Sequence, residues 1–399
     1  MIIPRDSYLD KLKALRDTPV IKVITGIRRC GKSTLLELFK EYLIDSGVTE
    51  DCIISMVLTH GSEEKITAAD ILKEVRGKAV KGKMNYVLLD EVQMAESWEK
   101  AVLTILEEGG SDVYITGSNS EMFSSKLSSL LSGRAVEVEM FPLSYKEFLF
   151  FTGQDDSADS LSEYMRIGGF PLAVALRDKM EYAMLVLDGI YRTAVLNDIV
   201  ERHSIRNPQM LSRISAFLMR NIGSPVSVKS IMDYIVSAGF KVNFETVDNY
   251  LGMLEEAFIF YRAKRFDMKA KEELVVNDKF FIADTWLRNA ALGFREADMG
   301  QFMENLVYLE LRRRGYTVFV GKINALEIDF VAMNAKSTAY YQVSYSIEDP
   351  ETKRRELEPL KRLRDAHRKT VITMVPSLNA DHDGIREVGL REFLMDERL

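Results

Sequence analysis

One short segment constrains the fold of this chain more than any other feature. It reads Gly26-Ile27-Arg28-Arg29-Cys30-Gly31-Lys32-Ser33-Thr34 and lies between an apolar run at 20–24 and a helix-like stretch at 35–39. Two glycines ahead of a Lys-Ser pair, between a strand and a helix, are the pattern of a phosphate-binding loop. The segment therefore predicts an α/β fold with a parallel sheet, in which such a loop joins a strand to a helix.

The residue types of this loop suit a nucleoside triphosphate. Backbone N–H groups and the positive end of a helix dipole hold phosphate charge, and Gly26 and Gly31 let the backbone curl around it. Lys32 is expected to reach the β- and γ-phosphate oxygens, and the Ser33 hydroxyl to complete a Mg²⁺ shell. ATP and Mg²⁺ are thus the predicted ligands. The flanking strand and helix disfavour the alternative, a glycine turn with an exposed lysine.

A second motif ends a buried-strand pattern. The run at 86–91 is apolar until its last two residues, Asp90 and Glu91. Asp90 is predicted to hold Mg²⁺ through water, and Glu91 to polarise the attacking water as a general base. Taken alone, the run favours a strand that merely ends in solvated acids, but its pairing with the loop favours the catalytic interpretation.

Polar residues after a third strand candidate, at 113–116, complete the predicted site. Asn119, or Ser118, is placed to sense the γ-phosphate, and an ordinary polar turn is the alternative. Arg134 precedes an extended segment at 136–140 and is a candidate arginine finger, acting within its own chain or from a neighbouring subunit. A surface arginine without a catalytic role is an equal alternative.

Several segments together resemble a large family of archaeal and bacterial AAA+-type ATPases. The resemblance rests on the phosphate-binding loop and on the segments at 88–93, 115–119, 141–148, 168–171 and 197–202. It implies an AAA+/ASCE parallel-sheet core that hydrolyses ATP with Mg²⁺, followed by a C-terminal region of unknown function. It covers nearly the whole chain but does not indicate a biological task.

The length of 399 residues exceeds one ordinary core and predicts several domains. We expect an ATPase core at 1–150, a helical linker or lid at 151–205, a winged-helix domain at 206–272 and a restriction-endonuclease-like domain at 273–399. No signal-peptide core or membrane-length apolar run is evident, and Cys30 and Cys52 alone cannot build a disulfide framework. These features predict a cytoplasmic protein without a membrane partner.

Three helix patterns and a hairpin predict the winged helix. Apolar residues recur at helical spacing within 211–218, 228–235 and 244–254, and a strand-like run at 258–261 leads into a basic turn at 262–265. In such a domain the third helix normally enters the major groove of DNA.

DNA binding by this domain depends on a local patch, because the formal net charge of the chain is −7. The exposed face of the third helix carries acids such as Glu245 and Asp248, which match phosphate poorly. The wing supplies better candidates for backbone contacts: Arg262, Lys264, Arg265, Lys269 and Lys271. Docking of a protein partner and a lid role within the chain are the alternatives.

The last third of the chain has the order of a restriction-endonuclease-like core. It reads as a helix at 303–314, strands at 317–320, 327–331 and 340–344, and a charged helix at 351–368. The resemblance implies a magnesium site built from a helix acid, a strand-end Asp and a Glu-x-Lys on the next strand.

This site is incomplete in the sequence. Glu304 and Asp329 suit the first two places, but the third reads Gln342-Val343-Ser344 and lacks the lysine. We expect a degenerate nuclease fold used for binding or scaffolding rather than an active nuclease. Glu304 and Asp329 are then either ordinary solvated acids or a vestigial metal site.

The sequence as a whole predicts a P-loop ATPase whose hydrolysis of ATP drives or gates a rearrangement of its C-terminal domains. Those domains would bind DNA or a protein partner, and that partner could be a second copy of the same chain. A nucleotide-gated protein-interaction switch without nucleic acid, and an ATP-regulated Mg²⁺-dependent nuclease, are the alternative functions.

Overall fold

The computed structural model describes residues 4–58, 66–120, 133–189, 191, 197–377 and 381–396. These residues form two compact units. Unit 1 consists of Met1–Phe141 with Glu256–Phe258, and unit 2 of Pro142–Glu255 with Ile259–Leu399.

Unit 1 is built on a five-stranded parallel sheet. Its strands are β1 (Ile21–Thr25), β2 (Ile53–Val57), β3 (Asn85–Asp90), β4 (Ser111–Thr116) and β5 (Ala135–Glu139). The strand order is β2-β3-β4-β1-β5, so that β4 separates the strand before the phosphate-binding loop from the strand that ends in Asp90.

Helices cover both faces of this sheet. They are α1 (Asp6–Ala14), α2 (Lys32–Asp45), α3 (Ala68–Lys78) and α4 (Trp98–Glu108). Alternate strand residues such as Val23 and Val87 pack with Ile71 and Trp98 of α3 and α4 in one apolar core. On the other face Phe39 of α2 lies against Tyr114 of β4, with ring centroids 4.4 Å apart. Helices on both faces explain why these strands are almost continuously buried.

Unit 2 begins with a group of helices. They are α5 (Tyr145–Thr152), α6 (Ala158–Ile167), α7 (Pro171–Ala175), α8 (Met180–Gly189) and α9 (Asn197–Arg202). A capping box begins α5, because the Ser144 hydroxyl accepts from the N–H of Glu147 while the Glu147 carboxylate accepts from the N–H of Ser144.

The next segment has the order helix, strand, helix, helix, hairpin. Its elements are α10 (Pro208–Arg220), β6 (Pro225–Val226), α11 (Val228–Ser237), α12 (Phe244–Glu256), β7 (Phe260–Asp267) and β8 (Glu272–Ile282). The predicted basic turn at 262–265 is wrong, since these residues lie inside β7 and the hairpin turns at 268–271. Strand β7 continues this far because it pairs with β8 on one side and with β9 on the other.

The remaining elements complete a mixed sheet. They are α13 (Thr285–Leu292), α14 (Met299–Arg313), β9 (Thr317–Ile323), β10 (Leu326–Met333), β11 (Thr338–Val343), α15 (Pro350–Lys361), β12 (Arg368–Thr373), β13 (Asp381–His382), β14 (Ile385–Gly389) and α16 (Leu390–Met395). The nine strands of this sheet follow the order β13-β14-β12-β11-β10-β9-β7-β8-β6. The predicted helix at 351–368 is too long, because α15 ends at Lys361 and Arg368 begins a strand parallel to β11.

The predicted division into four domains stays a prediction. Strand β8 begins at Glu272 and runs across the predicted boundary between 272 and 273. Its hairpin partner β7 pairs in parallel with β9, so one sheet joins the predicted winged-helix and nuclease-like segments. Among the residues that the structure describes, no helix has the length and apolar character needed to cross a bilayer.

Candidate functional site

Three strand ends of unit 1 bring the predicted nucleotide-site residues to one edge of the sheet. Strand β1 ends at Thr25 just before the loop, β3 ends at Asp90, and β4 ends at Thr116. Because these strands are parallel neighbours, their carboxyl ends meet at the same edge, which is where open α/β sheets bind ligands.

The loop at 26–34 has a backbone that depends on glycine. Gly26 has φ +135°, and a Cβ there would lie 2.0 Å from the carbonyl oxygen of Met140. Gly31 has φ +108° and precedes the first residue of α2. No larger residue fits at Gly26 without displacing the chain after β5. The loop thus ends at the N-terminus of α2, where backbone N–H groups and the helix dipole stabilise anions.

Lys32 has only uncharged oxygens among its described hydrogen-bond partners. Its Nζ donates to the carbonyl oxygens of Gly26, at 2.9 Å, and Ile27, at 3.2 Å. The residue is 3% exposed, so its charge is held in the loop without a carboxylate partner among the residues that the structure describes. Ser33 and Thr34 follow in the first turn of α2 and are exposed.

The two acids of the second motif are joined by Thr116. The Thr116 hydroxyl donates to Oδ1 of Asp90 and accepts, at 2.9 Å, from the backbone N–H of Glu91. Glu91 has φ +55°, in the left-handed region that residues other than glycine rarely adopt.

The Glu91 carboxylate has two polar partners. The amide of Gln93 donates to its Oε2, and the Ser118 hydroxyl donates to the same oxygen at 3.3 Å. Ser118 also accepts from Nε of Arg28 in the loop, at 3.3 Å. A chain of hydrogen bonds therefore joins Arg28 of the loop, Ser118 two residues beyond β4, and Glu91, the predicted general base.

Arg5 supports the loop from the N-terminal segment. Its guanidinium donates to the carbonyl oxygens of Cys30, at 3.2 Å, and Phe141, at 2.7 Å, and lies 4.9 Å from the ring centroid of Tyr8. Cys30 itself is buried, and burial raises the pKa of its thiol. Its burial supports a packing role for this cysteine rather than a redox role.

The structure separates the two remaining predicted residues. Asn119 is 2% exposed and lies in the segment after β4, near the nucleotide edge of the sheet. Arg134 lies beside Ile21, the first residue of β1, and therefore at the opposite edge from the loop. It is exposed and forms an ion pair with Glu107, 2.8 Å away. This position does not fit an arginine finger acting within the same chain.

Unit 2 contains a buried lysine of its own, Lys279, and carboxylates surround it. Nζ of Lys279, on β8, lies 3.0 Å from Glu327, 3.2 Å from Glu304 and 3.4 Å from Asp329. The second oxygen of Asp329 accepts from the N–H of Val343, at 2.9 Å. A lysine of β8, far from β11 in the sequence, thus lies among these carboxylates, which the spacing of a sequence motif does not reveal.

Gln342 joins this cluster, which we call the Lys279 cluster: Lys279, Glu304, Glu327, Asp329, Gln342 and Glu356. Its side-chain oxygen accepts from the N–H of Asp329, at 3.3 Å, and its amide donates to Glu356 of α15, at 2.8 Å. The amide therefore both accepts and donates, whereas an ionised carboxylate in its place could only accept.

Burial and charge shift the pKa values within the Lys279 cluster. Burial, together with the charge of Asp329, raises the pKa of Glu304 to about 8. Burial also raises the pKa of Asp329. For Lys279, burial acts to lower the pKa, but the carboxylates of Asp329, Glu304 and Glu327 outweigh it and raise the pKa above its ordinary value. The ammonium is therefore firmly charged.

A buried carboxylate holds the Gly168-Gly169 pair of unit 2. Asp284 accepts from the N–H of Gly169, at 2.6 Å, and from the N–H of Trp286, at 2.9 Å. A Cβ at Gly168, where φ is +74°, would lie 1.9 Å from Asp284 Oδ1. Burial raises the pKa of Asp284 to about 7 despite these two hydrogen bonds.

Most of the predicted wing cations are paired with acids. Arg262 lies 2.7 Å from Glu255, Lys264 lies 2.8 Å from Glu273, and Arg265 contacts Glu327. Lys269 and Lys271 instead line a groove in unit 2 of about 1020 Å³. The same groove is lined by four basic residues at and after the end of α15: Lys361, Arg362, Arg364 and His367.

Family models match two parts of this chain. One, described as an AAA domain, matches residues 18–149, and the other, described as a domain of unknown function, matches residues 158–298.

Two relatives of this chain are themselves uncharacterized proteins. One, from Haemophilus influenzae, is 36% identical over 400 residues, which cover 99% of this chain and 99% of the relative. The other, from Methanocaldococcus jannaschii, is 30% identical over 358 residues, which cover 84% of this chain and 76% of the relative.

A solved structure shares the fold. The Walker-type ATPase of Pyrococcus abyssi aligns with a TM-score of 0.51 at 17% identity, over 73% of this chain and 96% of that one. The predicted P-loop α/β fold is thereby confirmed, together with a mixed-sheet region in the C-terminal part of the chain.

Proposed function

Since this chain belongs to the AAA+-type P-loop ATPases, we propose that it binds ATP with Mg²⁺ at the loop 26–34 and hydrolyses it. One observation carries the proposal. Lys32 is buried among carbonyl oxygens, without a described carboxylate partner, at the sheet edge where Asp90 and Glu91 also lie. A buried cation of this kind is suited to an anionic ligand, because phosphate oxygens would supply the charge that the loop lacks.

Each residue of the site has a proposed task. The N–H groups of the loop and the charge of Lys32 would hold the β- and γ-phosphates, and the hydroxyl of Ser33 and the carboxylate of Asp90 would hold Mg²⁺. Both are oxygen donors of the kind that Mg²⁺ prefers. The bound ion would neutralise charge on the β- and γ-phosphates. Asn119, or Ser118, would sense the γ-phosphate.

The reaction would be attack of water on the γ-phosphorus with departure of ADP. Glu91 would accept a proton from this water as the new P–O bond forms and the bond to the β-γ bridging oxygen breaks, giving ADP and inorganic phosphate. Gln93 and Ser118 would hold the Glu91 carboxylate through the hydrogen bonds described above. Arg134 could then take part only from a neighbouring subunit.

The test is release of phosphate from ATP by the full chain with Mg²⁺. We expect Glu91→Gln to bind a fluorescent ATP analogue as the wild type does but to lose turnover by roughly 100-fold or more. Lys32→Ala should lose binding as well. Turnover that survives in Glu91→Gln would contradict the assignment of the general base, and wild-type binding in Lys32→Ala would contradict the site.

We further propose that ATP turnover rearranges the C-terminal region and that this region binds nucleic acid. The groove lined by Lys269 and Lys271 supports this partner, because six basic side chains line it and Asp365 is its one acidic lining residue in the described part of the chain. Two of its cations are already paired, Lys361 with Asp383 and Arg362 with Glu358, each at 2.7 Å in an exposed ion pair that contributes little stability.

Binding of labelled duplex and single-stranded DNA at several salt concentrations tests this partner. We expect Lys269→Glu/Lys271→Glu to weaken binding and to reduce the salt slope by about one unit per lost phosphate contact. The matched control is Lys229→Glu/Lys241→Glu, two exposed lysines outside the groove. Equal effects of both double variants, or DNA binding without salt dependence, would favour the alternative of a nucleotide-gated switch for a protein partner.

A further inference from the structure

We infer that the ammonium group of Lys279 is the resident cation of the Lys279 cluster and occupies the place that a divalent metal ion takes in a magnesium-dependent nuclease. The inference concerns unit 2 and does not rest on the proposed ATPase.

Geometry is the first support. Three carboxylates, from α14 and β10, converge on one nitrogen at 3.0 to 3.4 Å. Carboxylates from a helix and a strand converge in the same way around the bound metal ion of a metal-dependent enzyme. Here the point of convergence is filled by a side chain of the same chain.

Charge balance is the second support. Lys279 and Asp329 are 3% and 7% exposed, so their charges are largely removed from water. Buried carboxylates need a nearby positive charge, and Lys279 supplies it, while Arg265 contacts the other oxygen of Glu327. A divalent ion added to this arrangement would lie within contact distance of a charged ammonium and would be repelled by it.

The ligand set is the third support. The position on β11 that should give a second strand carboxylate holds Gln342, and its side chain is committed to Asp329 N–H and Glu356. Within the described ranges, no group of three or more His, Cys, Asp and Glu side chains has a metal-binding arrangement. With the Lys279 ammonium at the point of convergence, the residues therefore do not fit the metal that the nuclease-like resemblance implies.

The test is a titration of the nucleotide-free full chain with Mn²⁺. The electron paramagnetic resonance signal of the free ion measures how much Mn²⁺ stays unbound at each step. We expect the wild type and Asp329→Asn to bind Mn²⁺ equally, because no site depends on Asp329. Lys279→Met should gain a Mn²⁺ site, and Lys279→Met/Asp329→Asn should lose it again. Lys264→Met, on the neighbouring strand and exposed, is the matched control and should gain nothing.

Two results would overturn the inference. One is a Mn²⁺ site in the wild type that Asp329→Asn removes, together with Mg²⁺-dependent DNA cleavage that both Lys279→Met and Asp329→Asn abolish; Lys279 would then be a catalytic lysine beside a metal. The other is a folded Lys279→Met chain that binds no more Mn²⁺ than the wild type. If Lys279→Met does not fold, Lys279→Gln and the comparison of the wild type with Asp329→Asn still decide the question.

Discussion

Lys32 of unit 1 and Lys279 of unit 2 are buried to the same degree, each 3% exposed, but their surroundings are opposite. The partners of Lys32 are two backbone carbonyl oxygens, whereas those of Lys279 are three carboxylates. A buried charge is stable only when an opposite charge or a set of dipoles compensates it. The first lysine is thus available to an anionic ligand, and the second is already neutralised by its own chain.

If Lys32 binds phosphate as proposed, partner charge rather than burial distinguishes a ligand-binding lysine from a structural one. A third lysine agrees with this rule. Lys22 of β1 is fully buried and forms an ion pair with Asp112 of β4, at the sheet edge opposite the loop. Its charge is compensated within the sheet, so we assign it no ligand.

The largest expected effect tests the stability side of this comparison. Lys279→Met should lower the free energy of unfolding by about 3–5 kcal/mol, because it leaves buried carboxylates without their cation. Lys32→Met leaves no carboxylate behind and should change stability by less than about 1 kcal/mol. Urea denaturation without nucleotide measures both, and equal losses in the two variants would remove the distinction.

For ATP turnover we expect the opposite ranking, in which substitution of Lys32 has a large effect and substitution of a lysine outside the nucleotide site has none. Lys32→Met should lower ATP turnover by about 100-fold or more, since an aligned cation at the phosphates is lost. Lys264→Met, which removes an exposed lysine paired with Glu273, should keep the wild-type rate of phosphate release. A Lys32→Met chain with wild-type turnover would contradict the role of the loop.

A pH titration extends the comparison to a buried carboxylate with backbone N–H donors as its hydrogen-bond partners. Burial raises the folded-state pKa of Asp284 to about 7, well above its ordinary value. Its contribution to stability is therefore complete below about pH 4, the unfolded-state pKa, and is lost as the pH rises through 7.

We accordingly expect the free energy of unfolding to fall by up to about 4 kcal/mol from this group between pH 4 and 8, at about 1.4 kcal/mol per unit over a pKa rise of about three units. Asp284→Asn should flatten that part of the profile. Asp349→Asn is the control. Hydrogen bonds from Thr352 lower the pKa of Asp349, so this residue changes the free energy of unfolding only at acid pH, below the range in question. An unchanged slope in Asp284→Asn would contradict the prediction.

The smallest effect concerns Thr116, which joins Asp90 and Glu91 without carrying charge. Thr116→Val removes the hydroxyl and should lower kcat by about tenfold, or about 1.4 kcal/mol, with ATP binding retained. Thr104→Val, which removes a hydroxyl bonded only within α4, should leave the rate unchanged. Loss of ATP binding in Thr116→Val would show that the residue holds the fold of the site rather than the position of the acids.

Local sequence patterns were sufficient for the P-loop fold. The loop 26–34, the acids after β3 and the polar residues after β4 each follow an apolar strand pattern, and parallel strands bring such positions together. Arg5 and Thr116 have no comparable sequence pattern. Arg5 contacts Phe141, which lies 136 residues away, and Thr116 reaches the two acids only because β4 is the strand next to β3.

The Lys279 cluster was less accessible to sequence analysis for the same reason. Glu304 and Asp329 follow a known spacing, but Lys279 reaches them only because the hairpin of β7 and β8 extends the sheet beyond β9. The helix predicted to end at 368 was wrong because a charged helical pattern does not show that the residues after Lys361 form a turn and then a strand. Such long-range pairing is a tertiary property.

The parallel pairing of β7 with β9 has a consequence for dissecting this protein into fragments. A piece ending near residue 272 would keep β7 but lose β8 and β9, its partners on both sides. Such a strand presents two rows of unpaired N–H and C=O groups and promotes aggregation. A soluble fragment for binding assays should therefore retain the entire nine-stranded sheet, and proteases should cut the native chain outside it before they cut within it.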